Sequence, residues 1–324
     1  MKRYTFTVIL LFIVAKISLC QEPTGESSVS VNELMRNVFK RKTITSKQLR
    51  SSIQSEFSVY PQAAFAIAYR DVETGDKFTM NEHESFHAAS TMKTPVMAEA
   101  FKQAAEGRFS LDDSLLVENS FKSIVDGGMF AVDSVDDSEK DLYKRIGSQV
   151  SIRDILFRMI TRSSNLATNI IIEKIGAENV NQTMRSIGAK DINVLRGVED
   201  TKAFEQGLNN TTTAYDLMVL FEKIAKNEMV SAAASEGMVD ILMSQHFKNI
   251  IGGKLPPEVK VASKSGSITS VCHDSGIVYL PDGRRYVVVM LSRGIDDHKA
   301  ASQLLSNVSK LIYDYNKSKH KSPK

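Results

Sequence analysis

Phe86-His87-Ala88-Ala89-Ser90-Thr91-Met92-Lys93 lies where one sequence pattern stops and another starts. Upstream, Ala64-Phe65-Ala66-Ile67-Ala68-Tyr69 alternates small and large apolar residues, as a strand buried on both faces does. Thr74-Gly75-Asp76 then turns the chain into a second strand at 77–80. Downstream, residues 91–106 carry helical periodicity, and Gly107 is its natural stop. Ser90 and Lys93 thus form a Ser-x-x-Lys at a helix start. Positions three apart share a helix face, so the spacing predicts that hydroxyl and amine meet. At that end the Ser90 N–H is free to donate, and the helix dipole favours a developing oxyanion. A serine attacks only after a base takes its proton, and Lys93 can do so only if its pKa falls well below ~10. The motif alone is unspecific, since Ser318-x-x-Lys321 repeats it in a polar tail.

Toward the N-terminus, Thr45-x-x-Gln48 is a capping-box signature for a helix ending near Phe57. Residues 21–44 read as a polar linker and 1–20 as a secretory signal, with Lys2 and Arg3 before an apolar run and a cut before Gln21. The run is too short to span ~30 Å of hydrocarbon, and no later segment is long and apolar enough to hold a membrane. A lipoprotein would instead be acylated at Cys20, which bulky Leu19 disfavours. These features predict a secreted or periplasmic protein without a stable membrane span.

Toward the C-terminus, residues 112–148 are acidic, weakly periodic and read as irregular. Ser151-x-x-Asp154 caps a helix with Ile152, Ile155, Leu156, Met159 and Ile160 on one stripe. Further helices are predicted at 167–175 and 178–187, a polar loop at 196–210, and helices from Thr213-x-x-Asp216 to Ile224 and at 231–243. Strands follow at 260–267, 276–280 and 286–291, the last two joined by the turn Pro281-Asp282-Gly283, then a helix at 297–315. This order predicts an α/β fold of two lobes, with a sheet built from both chain ends and helices inserted between.

Composition narrows the function. The 324 residues are 42% hydrophobic and 24% charged, which excludes a wholly disordered chain. Lys+Arg minus Asp+Glu is 41 − 38 = +3 with no basic stripe, so nucleic acid is not an expected partner. Cys20 and Cys272 cannot build a disulfide framework or a cysteine-rich zinc site. His83-Glu84-Ser85-Phe86-His87 matches H-E-x-x-H, but that zinc motif needs a helix and here sits between a strand and the Ser90 helix. His273-Asp274 looks like a dyad, yet neighbours in a strand face opposite ways.

Two more motifs give Ser90 company. Ser163-Ser164-Asn165 comes 73 residues later, after the amphipathic helix, and Lys264-Ser265-Gly266 comes another 101 on, near a strand end. The trio resembles the class A β-lactamase branch of the penicillin-recognising serine hydrolases. Phe86-His87-Ala88-Ala89, Asn169, Asn210-Thr211-Thr212-Thr213-Ala214 and Leu255-Pro256-Pro257 agree with it, over residues 45–315. The resemblance implies an antiparallel sheet with flanking terminal helices (an α/β lobe of 45–89 and 211–318), an all-helical lobe (90–210), and an active site between, ahead of a polar tail at 319–324. It implies acylation at Ser90, a base or relay at Lys93, and proton transfer to the leaving nitrogen by Ser163. Asn165 would hold the side-chain amide of the substrate. Lys264 and Ser265, followed by Gly266 and Ser267, would hold its carboxylate, with Lys264 helping to lower the pKa of Lys93. The Ser90 and Ser267 N–H groups would form the oxyanion hole. Ser163 itself lacks a lysine three residues on and is not an expected substitute nucleophile.

The sequence departs from the family in three places. Its middle motif has Ser164 where the family usually has Asp, and the stretch between Lys93 and Ser163 is longer than the norm. The loop reads Arg196-Gly197-Val198-Glu199-Asp200, which puts Glu199 one place late for the deacylating base. Asp200 and Glu205 are the other candidates, and backbone freedom at Gly197 is the expected means of absorbing the offset. The implied protein is a monomeric serine hydrolase of β-lactams without metal or organic cofactor. A D-Ala-D-Ala carboxypeptidase or penicillin-binding protein, and a β-lactam sensor that does not turn over, are the alternatives.

Overall fold

The structure is a computed structural model that describes residues 43–320. The signal sequence, Cys20, nearly all of the linker and Lys321 lie outside the described residues.

Helix α1 (Ser46–Phe57) opens on the full capping box: Gln48 N donates to Thr45 Oγ1 at 3.2 Å and Thr45 N to Gln48 Oε1 at 2.9 Å. Strands β1 (Ala64–Asp71) and β2 (Lys77–Met80) follow, turned by Gly75 at φ +73°. After β3 (Phe86–His87) the chain makes a 3-10 turn over Ala89–Met92, and helix α2 runs over Lys93–Ala105. The helix thus begins two residues later than its periodicity predicts. Ala89 stands at φ +44°, in the left-handed region, and the tight turn brings the chain from there into α2.

The stretch read as irregular holds short ladders: β4 (Ser114–Leu116), β5 (Phe121–Lys122) and β6 (Met129–Phe130), with β7 (Gln149–Ser151) closing on β4. Val117, Phe121, Val132 and Leu142 bury into the same apolar core as the helices, so the segment is packed although it lacks a period. Next come α3 (Ile152–Thr161), α4 (Asn165–Ile175), α5 (Ala177–Ser186), α6 (Thr201–Glu205), β8 (Thr211–Thr212), α7 (Ala214–Ala225) and α8 (Ala232–Met243). Ser151 and Thr213 cap α3 and α7 as predicted, accepting from Asp154 N and Asp216 N. Helix α6 lies in what the sequence presents as a loop; five residues are too few to show a helical period.

Strands β9 (Lys260–Ile268), β10 (Val271–Tyr279) and β11 (Arg285–Arg293) and helix α9 (His298–Lys319) complete the chain. The five long strands form one antiparallel sheet in the order β2-β1-β11-β10-β9, with β1 laid against β11 from Ala64↔Arg293 to Asp71↔Tyr286. The sheet is therefore assembled from both ends of the chain. The alternation in β1 now has its cause. Phe65, Ile67 and Tyr69 enter a core with Leu49 and Ile53 of α1 and Leu304, Leu305, Val308 and Ile312 of α9. Ala66 and Ala68 face the other core, which continues into α2, α3, α4, α7 and α8. Large residues meet two terminal helices; alanines let α7 approach the opposite face.

Candidate active site

Strand β9 is the edge of the sheet and runs past the 3-10 turn that carries Ser90. A Cβ on Gly266 would stand 2.9 Å from both Ser90 N and Thr91 N, which real Cβ atoms almost never do. The strand closes on the Ser90 N–H because residue 266 has no side chain. Ala89 N donates to His87 Nδ1 at 3.0 Å, which helps hold the left-handed backbone ahead of the serine.

Lys93 projects from the first turn of α2 and is fully buried. Its Nζ donates to Ser163 O at 2.6 Å, Asn165 Oδ1 at 2.9 Å and Ser163 Oγ at 3.3 Å. Among the described residues no hydrogen bond joins it to Ser90 Oγ. The amine expected to meet Ser90 directly is instead held by the middle motif. Burial pulls the Lys93 ammonium down to about 7, against the opposing pull of the Asp137 and Glu199 carboxylates. Lys264, also fully buried, donates to Ser163 Oγ at 3.1 Å and Ser265 O at 2.7 Å. Its pKa lies well below the ordinary lysine value, first through burial and then through repulsion by Lys93, while Asp274 pulls the other way. The repulsion expected to lower Lys93 therefore falls on Lys264, and burial does the work at Lys93. Ser163 stands at φ +58° with its hydroxyl between two buried amines.

Glu199 reaches the same cluster from the loop after α5. Its Oε1 accepts from Asn165 Nδ2 at 2.7 Å and its Oε2 from Asp133 N at 2.8 Å. The left-handed residue of this loop is Glu199 itself, at φ +63°, and not Gly197, where the sequence predicts backbone freedom. Gly197 serves a different need: a Cβ there would lie 2.3 Å from Asn169 Oδ1. That close approach lets the Asn169 amide clamp Val198, accepting from its N–H at 2.7 Å and donating to its carbonyl at 3.0 Å. On the other side Asp200 is buried and accepts from Ser123 Oγ at 2.9 Å, Ile124 N at 3.0 Å and Ala203 N at 3.2 Å. A left-handed non-glycine residue costs roughly 1–2 kcal/mol, and the clamps on both flanks hold it there. Asp200 is thus an anchor of the loop, while Glu205 is exposed and absent from the cavity wall.

Two cavities, of about 350 and 570 Å³, meet at Ser90, Asn165, Asp136 and Ser267. The smaller is also lined by Ser163, Ser265 and Gly266, the larger by Glu199, Val198 and Arg196. The structure so gathers all nine predicted site residues around one cleft. What sequence reasoning missed is the share of residues 131–138: Asp133, Asp136 and Ser138 line the walls, and Asp137 is buried behind Asn165. The absent acid at position 164 is the signal that could have led there.

The other motifs have structural uses. His83 lies against the Tyr215 ring, 4.7 Å between centroids, and the H-E-x-x-H residues are not helical. His273 accepts from Ser292 N at Nδ1, which leaves Nε2 to donate to His87 O at 3.0 Å; burial pulls the ring down to about 4. Asp274 faces away and accepts from Ile251 N and Ser275 N. Cys272 is buried.

A two-lobe α/β fold with Ser-x-x-Lys, Ser-x-Asn and Lys-Ser-Gly meeting in one cleft is the architecture shared by class A β-lactamases and penicillin-binding proteins. Residues 48–316 match the model of the β-lactamase enzyme family, and the chain belongs to that family, in its class A branch. It is 24% identical over 260 residues to a β-lactamase of Bacteroides uniformis, covering 75% of this chain and 83% of that protein. The solved structure of PBP-A superposes with a TM-score of 0.73 at 27% identity, over 85% of this chain and 97% of the other. A PBP-A variant solved as its acyl-enzyme with penicillin G gives a TM-score of 0.71 at 27% identity, over 84% and 97%. No helix among the described residues is long and apolar enough to cross a membrane.

Proposed function

We propose that the protein is an exported serine hydrolase that opens β-lactam rings through an acyl-enzyme on Ser90. The observation that carries the hydrolytic half is Glu199: its carboxylate sits 2.7 Å from Asn165 Nδ2 and lines the same cavity as Ser90. An ester on Ser90 needs a base that can activate water beside it, and Glu199 is the carboxylate in place for that.

The steps follow from the groups present. Neutral Lys93 takes the Ser90 proton, and Ser90 Oγ attacks the lactam carbonyl. The N–H groups of Ser90 and Ser267 hold the oxyanion. As the C–N bond breaks, Ser163 gives its proton to the leaving nitrogen and is reprotonated by Lys93, 3.3 Å away, which carries the proton taken from Ser90. Lys264, with Ser265, holds the substrate carboxylate, and Asn165 its side-chain amide. Glu199 then takes a proton from water as the water oxygen attacks the ester carbonyl, and the proton passes to Ser90 Oγ as the ester C–O bond breaks, which restores both groups.

A second reading has its own support. Likeness to a PBP-A variant captured as an acyl-enzyme with penicillin G speaks for acylation and not for release of the β-lactam, as in a D-Ala-D-Ala carboxypeptidase or penicillin-binding protein that turns over peptides and holds penicillin. Electrospray mass of the protein with a penicillin, followed over time, separates the two. The hydrolase shows product accumulating with an adduct that decays or never builds up; an adduct that persists selects the second reading, and neither adduct nor product removes both.

The pH profile of acylation is a further check. Lys93 must be neutral to act, so kcat/KM should rise as pH passes about 7. A profile flat through pH 7 would remove Lys93 from the role of base.

A further inference from the structure

Asp137 belongs to the segment between Lys93 and Ser163 that exceeds the family's usual length, and it is buried to 1% exposure. Its Oδ2 accepts from Asn165 N at 2.8 Å, Leu166 N at 3.0 Å, Tyr143 Oη at 2.9 Å and Ser164 Oγ at 3.3 Å. Helix α4 begins at Asn165, so two of these donors are first-turn N–H groups that have no partner within the helix. Ser164 Oγ takes the next one, Ala167 N, at 3.1 Å. The carboxylate therefore finishes the helix start and fixes the backbone from Ser164 to Leu166. The strained Ser163 and the amide of Asn165, both bonded to Lys93, hang from that backbone.

Asp137 is itself anchored. Its Oδ1 accepts from Glu139 N at 3.0 Å, and buried Glu139 pairs with Arg158 of α3 at 3.1 Å. Ser138 Oγ donates to Arg162 O at 2.5 Å, one residue before Ser163. The segment is tied to the helix that delivers the middle motif.

We infer that Asp137 is the positioning carboxylate of the Ser163-Ser164-Asn165 motif, supplied by a distant segment because the motif's central residue is a serine. With serine at its centre the motif carries no acid of its own; a carboxylate from 27 residues upstream of Ser164 stands 3.3 Å from the Ser164 hydroxyl. The kinetic part of this inference rests on the proposed acylation at Ser90, and the structural part does not.

Three variants test it: Asp137→Asn, which keeps the shape and removes the charge, Asp137→Ala, and Asp137→Ala with Ser164→Asp. The Lys93 amine, titrated by NMR of carbon-13-labelled lysine in the free protein, faces Asp137, Glu199 and Lys264. Asp137 favours its charged form, so Asp137→Asn should move its midpoint below the wild-type value of about 7. Asp137→Ala should slow penicillin adduct formation by about 10²-fold through misplacement of Ser163 and Asn165. A carboxylate at 164 enters the vacated space and should restore most of that rate. Wild-type acylation by Asp137→Ala overturns the inference, as does an unmoved Lys93 midpoint together with no rescue by Ser164→Asp, the pattern of a plain helix cap. Should the wild type form neither adduct nor product, the acylation reading fails, and the Lys93 midpoint alone still decides the place of Asp137.

Discussion

Ser90→Ala yields a folded protein that neither takes up a penicillin nor hydrolyses it. The expected loss is on the order of 10³-fold or more, roughly 4 kcal/mol of barrier. Ser90 Oγ makes no hydrogen bond among the described residues, so its removal should leave the thermal midpoint near that of the wild type. The argument against a substitute nucleophile changes with the structure. Ser163 has no lysine three residues on, yet it lies 3.3 Å from Lys93 Nζ and 3.1 Å from Lys264 Nζ. Amines are within its reach after all. What it lacks is the place of Ser90, on a turn beside the backbone of Gly266, where an N–H can meet an oxyanion. Turnover retained by the purified variant would sink the serine-hydrolase reading.

Glu199→Gln should still form the adduct but hold it. Loss of a general base slows deacylation by about 10²–10⁴-fold, so the penicillin mass persists where the wild type sheds it. The substitution also upsets a local pairing. Glu199 accepts from Asn165 Nδ2 and Asp133 N at once, and a glutamine can offer only one oxygen to those two donors. One N–H then faces an NH₂, which should loosen the loop on the side of Asp133. A wild type that already keeps its adduct, with an indistinguishable variant, would take the deacylating role from Glu199 and favour the peptidase or sensor. Fast release by Glu199→Gln would assign the base to another group.

The sequence by itself determined the main helices and strands and named nine residues that the fold gathers at one cleft. Helix starts at Thr45, Ser151 and Thr213 are written in side chains that bond three residues ahead, and such signals survive without tertiary context. The small–large alternation of β1 likewise encodes a strand with two unequal buried faces. Tertiary structure decided how the site residues connect. Lys93 bonds the middle motif across 70 and 72 residues, and Asp137 reaches Asn165 across 28. Asn169 clamps Val198 across 29 and so obliges Gly197 to be bare. Glu199, at the place where the spacing departs from the family, lines the cavity of Ser90 on a left-handed backbone that its neighbours hold in place. Local periodicity reports bonds to residues three and four away. A buried carboxylate delivered by an aperiodic segment, or an amine pulled toward neutrality by burial, exists only when distant parts of the chain exclude water together.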